Sequence, residues 1–90
     1  MAEAINDIEV RRRRVLYRAG HRGTKELDLL LGRFAESELE KMTETDLEAF
    51  EEFLALPDPD IYHWLMTPGA EMPDGLAGEF VGRLKRFHDL

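Results

Sequence analysis

Apolar residues return along this chain every three or four positions, in five short runs. In the first, Ile8, Val15 and Ala19 recur with Ile5 and Leu16 beside them, which predicts a helix over about residues 5–19. Gly20 is expected to end it as a left-handed C-terminal glycine. In the second run Leu27, Leu30, Leu31 and Phe34 fit i, i+3, i+4, i+7, and Leu39 continues the stripe. It predicts a helix over about residues 24–40, the strongest amphipathic signal in the chain. Gly32 lies inside that helix at a cost of about 1 kcal/mol relative to Ala, so it is expected to serve close helix packing.

A third helix is predicted from Thr43, whose hydroxyl suits an N-cap with Glu44 and Asp46 in the first turn. Leu47, Phe50 and Leu54 form its stripe, flanked by Phe53, and Pro57 stops it. The fourth helix is short. Asp58 is expected to cap it and Pro59 to take its first position, with Ile61, Trp64 and Leu65 facing inward. Thr67-Pro68-Gly69 ends it. The last helix is expected to begin around Pro73-Asp74, with a stripe of Leu76, Phe80, Leu84 and Phe87. Arg83, Lys85 and Arg86 lie near its C-terminus, where the helix dipole favours cations. The three Ile, three Val and four Thr never cluster, so strands are not expected. The predicted architecture is all-α: a compact five-helix bundle, one domain over residues 1–90 with frayed ends.

Length narrows what such a bundle can do. A chain of 90 residues forms one small domain with a thin core, which rarely encloses a deep catalytic pocket. There is no cysteine, which removes disulfides and thiolate chemistry. No apolar run approaches the roughly 18 residues of a membrane span. The formal charge of −7 is unevenly spread. Residues 1–25 hold seven basic side chains against three acidic ones, and the rest hold five against sixteen. An acidic body repels a phosphate backbone, so general nucleic-acid binding is disfavoured. The N-terminus is mixed and acidic before its arginines, unlike a secretory or mitochondrial leader. The chain reads as cytoplasmic and bacterial, or as a mitochondrial matrix protein if eukaryotic.

Few residues suggest chemistry of their own. His21, His63 and His88 form no i, i+3 or i, i+4 pair, so no helical zinc site is expected and they read as surface or capping residues. Ser37 lacks the glycine context of a nucleophile elbow. The Asp-Pro-Asp segment at 58–60 lacks the later ligands of a calcium loop. No glycine-rich phosphate loop is present. No catalytic residue and no metal ligand is therefore assigned. The run Arg11–Arg14 suggests nucleic acid at first sight, but four arginines exceed one helical turn and cannot share a face. Their stems are expected to cover apolar surface with the charged heads in water.

The segment His21-Arg22-Gly23-Thr24-Lys25-Glu26 joins the first two helices and combines a cation, a glycine and an anion. Gly23 permits a positive φ or the close approach of a partner backbone, and Arg22 offers a forked donor for a carboxylate, phosphate or carbonyl. Read locally, this is a helix cap with an Arg22–Glu26 pair worth less than about 1 kcal/mol. Read functionally, it is a docking surface.

The string RGTKELDLLLGRF, an acidic helix and then DPDIYHWLM together resemble the FAD assembly factors of succinate dehydrogenase, the flavinator family. Its R-G-x-x-E signature followed by Leu-Asp is matched by Arg22, Gly23, Glu26, Leu27 and Asp28. Its acidic turn before a Trp-Leu pair is matched by Asp58, Asp60, Trp64 and Leu65. The likeness spans about residues 10–66, and order, spacing and length make it far more specific than the signature alone. It implies a five-helix assembly factor that binds the flavoprotein subunit of succinate dehydrogenase, with that of fumarate reductase as a further client. Such a factor promotes covalent attachment of FAD to a client histidine without being an enzyme or stably holding FAD itself. Arg22, Gly23, Glu26, Asp28 and His21 are the partner-binding residues implied, and Trp64 and Leu65 read as structural anchors. A nucleic-acid-binding regulator and a generic protein–protein adaptor are the alternatives.

Overall fold

The computed structural model describes the backbone of residues 2–90 and the side chains from Asp7 onward, so Ile5 lies outside the described side chains. Its helices are α1 (Ala2–Gly20), α2 (Lys25–Glu38), α3 (Glu44–Leu54), α4 (Asp58–Met66) and α5 (Gly75–His88). A 3-10 turn, Leu39–Lys41, follows α2 and takes up the end of the helix predicted to reach residue 40. No strand occurs among the described residues, and the all-α five-helix expectation holds.

The predicted stripes build one core. Val15 and Ala19 of α1 meet Leu27, Leu31, Phe34 and Ala35 of α2, and all are buried. Leu47, Phe50, Phe53 and Leu54 of α3, Ile61 and Leu65 of α4, and Phe80, Val81 and Leu84 of α5 complete it. Burying each of these Leu and Phe side chains contributes about 1.5–3 kcal/mol, which easily offsets one mid-helix glycine. Aromatic rings set the centre: Phe80 stacks on Phe50 at 5.3 Å and on Phe53 at 5.5 Å, and Phe34 meets Phe50 edge-on at 5.7 Å. The guanidinium of Arg83 lies 5.1 Å from the Phe80 centroid and 5.7 Å from that of Phe34. It closes the aromatic layer through cation–π attraction rather than extending into water.

Local chemistry explains most of the boundaries. Thr24 caps α2, its Oγ1 accepting from the Leu27 N–H at 3.2 Å. Thr43 and Asp46 exchange side-chain and backbone bonds in a capping box at the start of α3. The prediction from Thr43 is met, with Asp46 adding the reciprocal bond.

Four expectations are corrected. Gly20 is the last residue of α1 and is not among the glycines with positive φ. Its role is packing, since a Cβ on Gly32 would stand 3.3 Å from the Gly20 Cα. This pair of glycines lets α1 and α2 approach closely, as the reading of Gly32 anticipated. At the start of α4, Pro57 is the N-cap and the Asp58 carboxylate makes no cap bond. Trp64 is only half-buried, packed on the edge of the core, while its neighbour Leu65 is buried. Phe87 keeps 40% of its surface exposed while its ring meets Phe34 edge-on at 5.6 Å. At the last turn of α5 the other described helices cover only part of it.

Candidate functional site

The residues joining α1 to α2 are held by their own short side chains first. Asp28, one turn into α2, accepts a hydrogen bond from the Arg22 backbone N–H through Oδ1. Thr24 caps the helix from inside the same loop. His21 stacks on Tyr17 with ring centroids 3.8 Å apart, and its Nδ1 donates to the Tyr17 carbonyl at 2.7 Å. The loop is therefore folded back on both helices it connects.

Its long-range anchor is Asp58. One carboxylate oxygen, Oδ1, accepts from Arg22 Nη2 at 2.6 Å and Nε at 3.0 Å. The other, Oδ2, accepts from the Gly23 N–H at 2.7 Å. Arg22 also donates through Nη1 to the Leu54 carbonyl at 2.8 Å and through Nη2 to the Leu56 carbonyl at 3.3 Å. Those carbonyls lie at the C-terminal end of α3, where unpaired acceptors and the negative end of the dipole both favour a cation. The Arg22 side chain is only 10% exposed. One guanidinium–carboxylate pair thus ties together the start of α2, the end of α3 and the start of α4. Burial opposes ionisation of Asp58, but the Gly23 N–H and then the Arg22 guanidinium outweigh it and hold the carboxyl below its usual value.

This geometry corrects the local reading of the loop. Arg22 does not pair with Glu26; it reaches Asp58, because the helix start turns Glu26 outward while the guanidinium points at the α3 terminus. Gly23 does not adopt a positive φ, so its need for glycine lies in close approach. A Cβ there would stand 2.8 Å from Asp58 Oδ2, a distance that real Cβ atoms essentially never show.

Glu26 is exposed, and its Oε1 accepts from the Tyr62 hydroxyl of α4 at 3.0 Å. That bond to Glu26, with the nearby negative charge, raises the Tyr62 pKa above its ordinary value. Between the two helices lies a cleft of about 470 Å³, with Leu27 and Pro59 along it and Glu26, Asp58 and Tyr62 on its walls. Of the residues predicted to bind a partner, the structure gathers Arg22, Gly23, Glu26 and Asp28 in one loop and helix turn. His21 is exposed at its edge, and Trp64 and Leu65 belong to the packing of α4. Asp58 as the anchor and Tyr62 as the Glu26 partner were not legible as such. They lie about a turn apart on α4 and 36 residues or so from their partners, a distance no local period connects.

The arginine run divides. Arg11 pairs with Glu51 of α3 at 2.7 Å, and Arg12 donates to the Leu39 carbonyl through Nε and to the Met42 carbonyl through Nη2, both at 3.1 Å. Arg13 and Arg14 are exposed. Half of the run therefore fastens α1 to the rest of the bundle.

With this geometry in view, the sequence matches the family described as flavinator of succinate dehydrogenase over residues 13–88. The chain belongs to that family. It is 43% identical over 77 residues to "Succinate dehydrogenase assembly factor 2, mitochondrial" of Dictyostelium discoideum, covering 86% of this chain and 54% of that protein. It is 44% identical over 62 residues to "FAD assembly factor SdhE" of Acetobacter pasteurianus, covering 69% and 57%. A protein of the same description from Legionella pneumophila (strain Paris) is 43% identical over 64 residues, covering 71% of this chain and 78% of that protein. The chain spans little more than half the length of the first two. No solved structure matches it.

Two features of this flavinator-family bundle bear on cofactors and membranes. The α2–α4 cleft is a poor fit for a flavin dinucleotide. Two carboxylates and no basic side chain line it, whereas a pyrophosphate asks for a glycine-rich turn or a cation. Among the described residues no helix is long and apolar enough to cross a membrane, and no cluster of three potential metal ligands occurs.

Proposed function

We propose that this chain is an assembly factor that binds the flavoprotein subunit of succinate dehydrogenase and promotes covalent attachment of FAD to it. The observation that carries the reading is the anchored R-G-x-x-E loop. Arg22 and Gly23 are tied to Asp58, and Glu26 stands exposed beside them. A loop held from three helices presents its docking atoms in one conformation, so little ordering entropy is lost when a partner binds. In this reading Gly23, Glu26 and the exposed His21 face the client. Arg22 and Asp28 act from behind, keeping the loop in shape.

The chain holds no FAD of its own in this reading, in keeping with the acidic cleft. The bond-forming groups belong to FAD and the client, and the chain is not an enzyme. Its contribution is to favour the client conformation in which the reacting groups are aligned, a population shift that raises the attachment rate through orientation. The flavoprotein of fumarate reductase is a second client of the same surface. The work takes place in the bacterial cytoplasm, or in the mitochondrial matrix of a eukaryote. A nucleic-acid role is less well supported, because Arg11 and Arg12 are engaged within the bundle.

The test is reconstitution of apo-flavoprotein with FAD, with and without this chain, reading flavin fluorescence of the denatured client band. A higher covalent yield with the chain is expected. No binding to the flavoprotein and no rise in yield overturns the reading.

A further inference from the structure

Glu26 carries the exposed negative charge of the docking loop, and a free glutamate at the start of a helix samples many rotamers. Fixing such a side chain costs up to about 2 kcal/mol of conformational freedom when a partner arrives. Here that freedom is already restricted. The Tyr62 hydroxyl, from a different helix, donates to Glu26 Oε1 at 3.0 Å, and Tyr62 keeps 37% of its surface exposed. No cationic side chain lies within ion-pair distance of Glu26 among the described residues, whereas Asp58 in the same cleft is matched by Arg22. The charge of Glu26 is thus without an ion-pair partner among the described residues, and the exposed Tyr62 and Pro59 stand next to it.

We infer that Tyr62 is a positioning residue: it holds Glu26 at the rim of the α2–α4 cleft so that the carboxylate receives a cationic side chain of the docked flavoprotein. The inference rests on the docking function proposed above and specifies the chemistry of the contact. The complementary group is an arginine or lysine. Its charged head meets the Glu26 oxygen left by Tyr62, and its aliphatic stem lies along the exposed Pro59. The exposed Tyr62 ring offers the same cation a second, quadrupolar attraction. A carboxylate fixed in advance binds such a head with better geometry than a mobile one.

The experiment is a double-mutant cycle on binding to the apo-flavoprotein, using Tyr62→Phe, Glu26→Gln and the double variant of the full chain. Tyr62→Phe keeps the ring and removes only the hydroxyl. It is expected to weaken binding by about threefold to tenfold, as for loss of one ordinary hydrogen bond. In the Glu26→Gln background the same change is expected to have almost no effect, and the Glu26→Gln loss itself is expected to shrink as salt is raised. In the free chain, the raised tyrosine titration is expected to fall toward its ordinary value in Glu26→Gln. Wild-type binding with equal Tyr62→Phe losses in both backgrounds, or with none, overturns this inference alone. Failure of the wild-type chain to bind overturns the docking function and this inference with it.

Discussion

The Asp58 carboxylate serves two masters in one loop: Oδ1 takes the Arg22 guanidinium at 2.6 Å and Oδ2 takes the Gly23 N–H at 2.7 Å. Two residues of the R-G-x-x-E signature are thereby fixed by a third that lies 35 positions downstream of Gly23. The Arg22–Asp58 pair is more than a surface ion pair, because the guanidinium is largely buried and also closes the carbonyls of Leu54 and Leu56. Exposed pairs contribute about 0–1 kcal/mol, whereas removing one partner of a buried, hydrogen-bonded pair strands the other.

Asp58→Ala is therefore expected to destabilise the bundle by about 2–3 kcal/mol, since it leaves both Arg22 and the Gly23 N–H without their acceptor. Chemical denaturation followed by circular dichroism measures the loss. A change within experimental error of zero sinks the anchoring role.

Acid sensitivity follows from the same group. The folded-state pKa of Asp58 is depressed, so its contribution to stability is fully present above the unfolded value of about 4 and is lost as pH falls through the folded value. Denaturation curves of wild type and Asp58→Asn are expected to differ at neutral pH and to converge on acidification. A gap that stays constant down to the most acidic pH at which both fold contradicts the assignment.

Gly23 tests close approach. Gly23→Ala places a Cβ 2.8 Å from Asp58 Oδ2, so the carboxylate must shift and its bonds to the loop lengthen. A stability loss of about 1–2 kcal/mol is expected, with weaker client binding. Gly23→Arg adds a long charged chain at the proposed docking surface and is expected to abolish stimulation of flavin attachment. Full stimulation by Gly23→Arg is incompatible with this surface facing the client.

Two glycines of α5 are expected to respond with opposite sign to the same substitution. A Cβ at Gly78 would lie 2.1 Å from the Pro73 carbonyl oxygen, backbone that moves only with the whole turn before the helix. Gly78→Ala is expected to cost about 2 kcal/mol despite the gain in helix propensity. At Gly82 the nearest atom is Arg86 Nη1 at 3.5 Å, ordinary contact with a flexible side chain. Gly82→Ala is expected to stabilise by up to about 1 kcal/mol. Thermal melts of the two variants decide the matter.

The arginine run offers an internal control. Arg12→Ala removes the donors to the Leu39 and Met42 carbonyls and is expected to cost about 1–2 kcal/mol. Changes at the exposed Arg13 and Arg14 are expected to stay within about 0.5 kcal/mol. Similar melting temperatures for Arg12→Ala and Arg13→Ala would contradict the division of the run.

The helices were readable because each carries its own period. Leu27, Leu31 and Phe34 announce the buried face of α2 within eight residues, and Thr43 announces the start of α3 within four. The misread ends, Gly20 and Asp58, share one cause. A glycine after a helix and an aspartate before one suit local caps equally well as distant partners, and neighbouring residues hold no information about which is chosen. Helix phase alone points Phe87 and Trp64 inward, but it does not say where the bundle runs out of neighbours.

The order of apolar and polar residues was enough to dictate five helices, one shared core and the loop that carries Arg22, Gly23 and Glu26, because helix period and capping act within a few residues. Three matters were decided only by packing: Arg22 faces Asp58 rather than Glu26, Tyr62 holds Glu26, and Arg11 and Arg12 turn inward. Each joins groups some 27 to 40 positions apart. Charges at that separation find one another only after the hydrophobic core has set the helices side by side, and the partner each one takes is the nearest group the fold leaves unsatisfied.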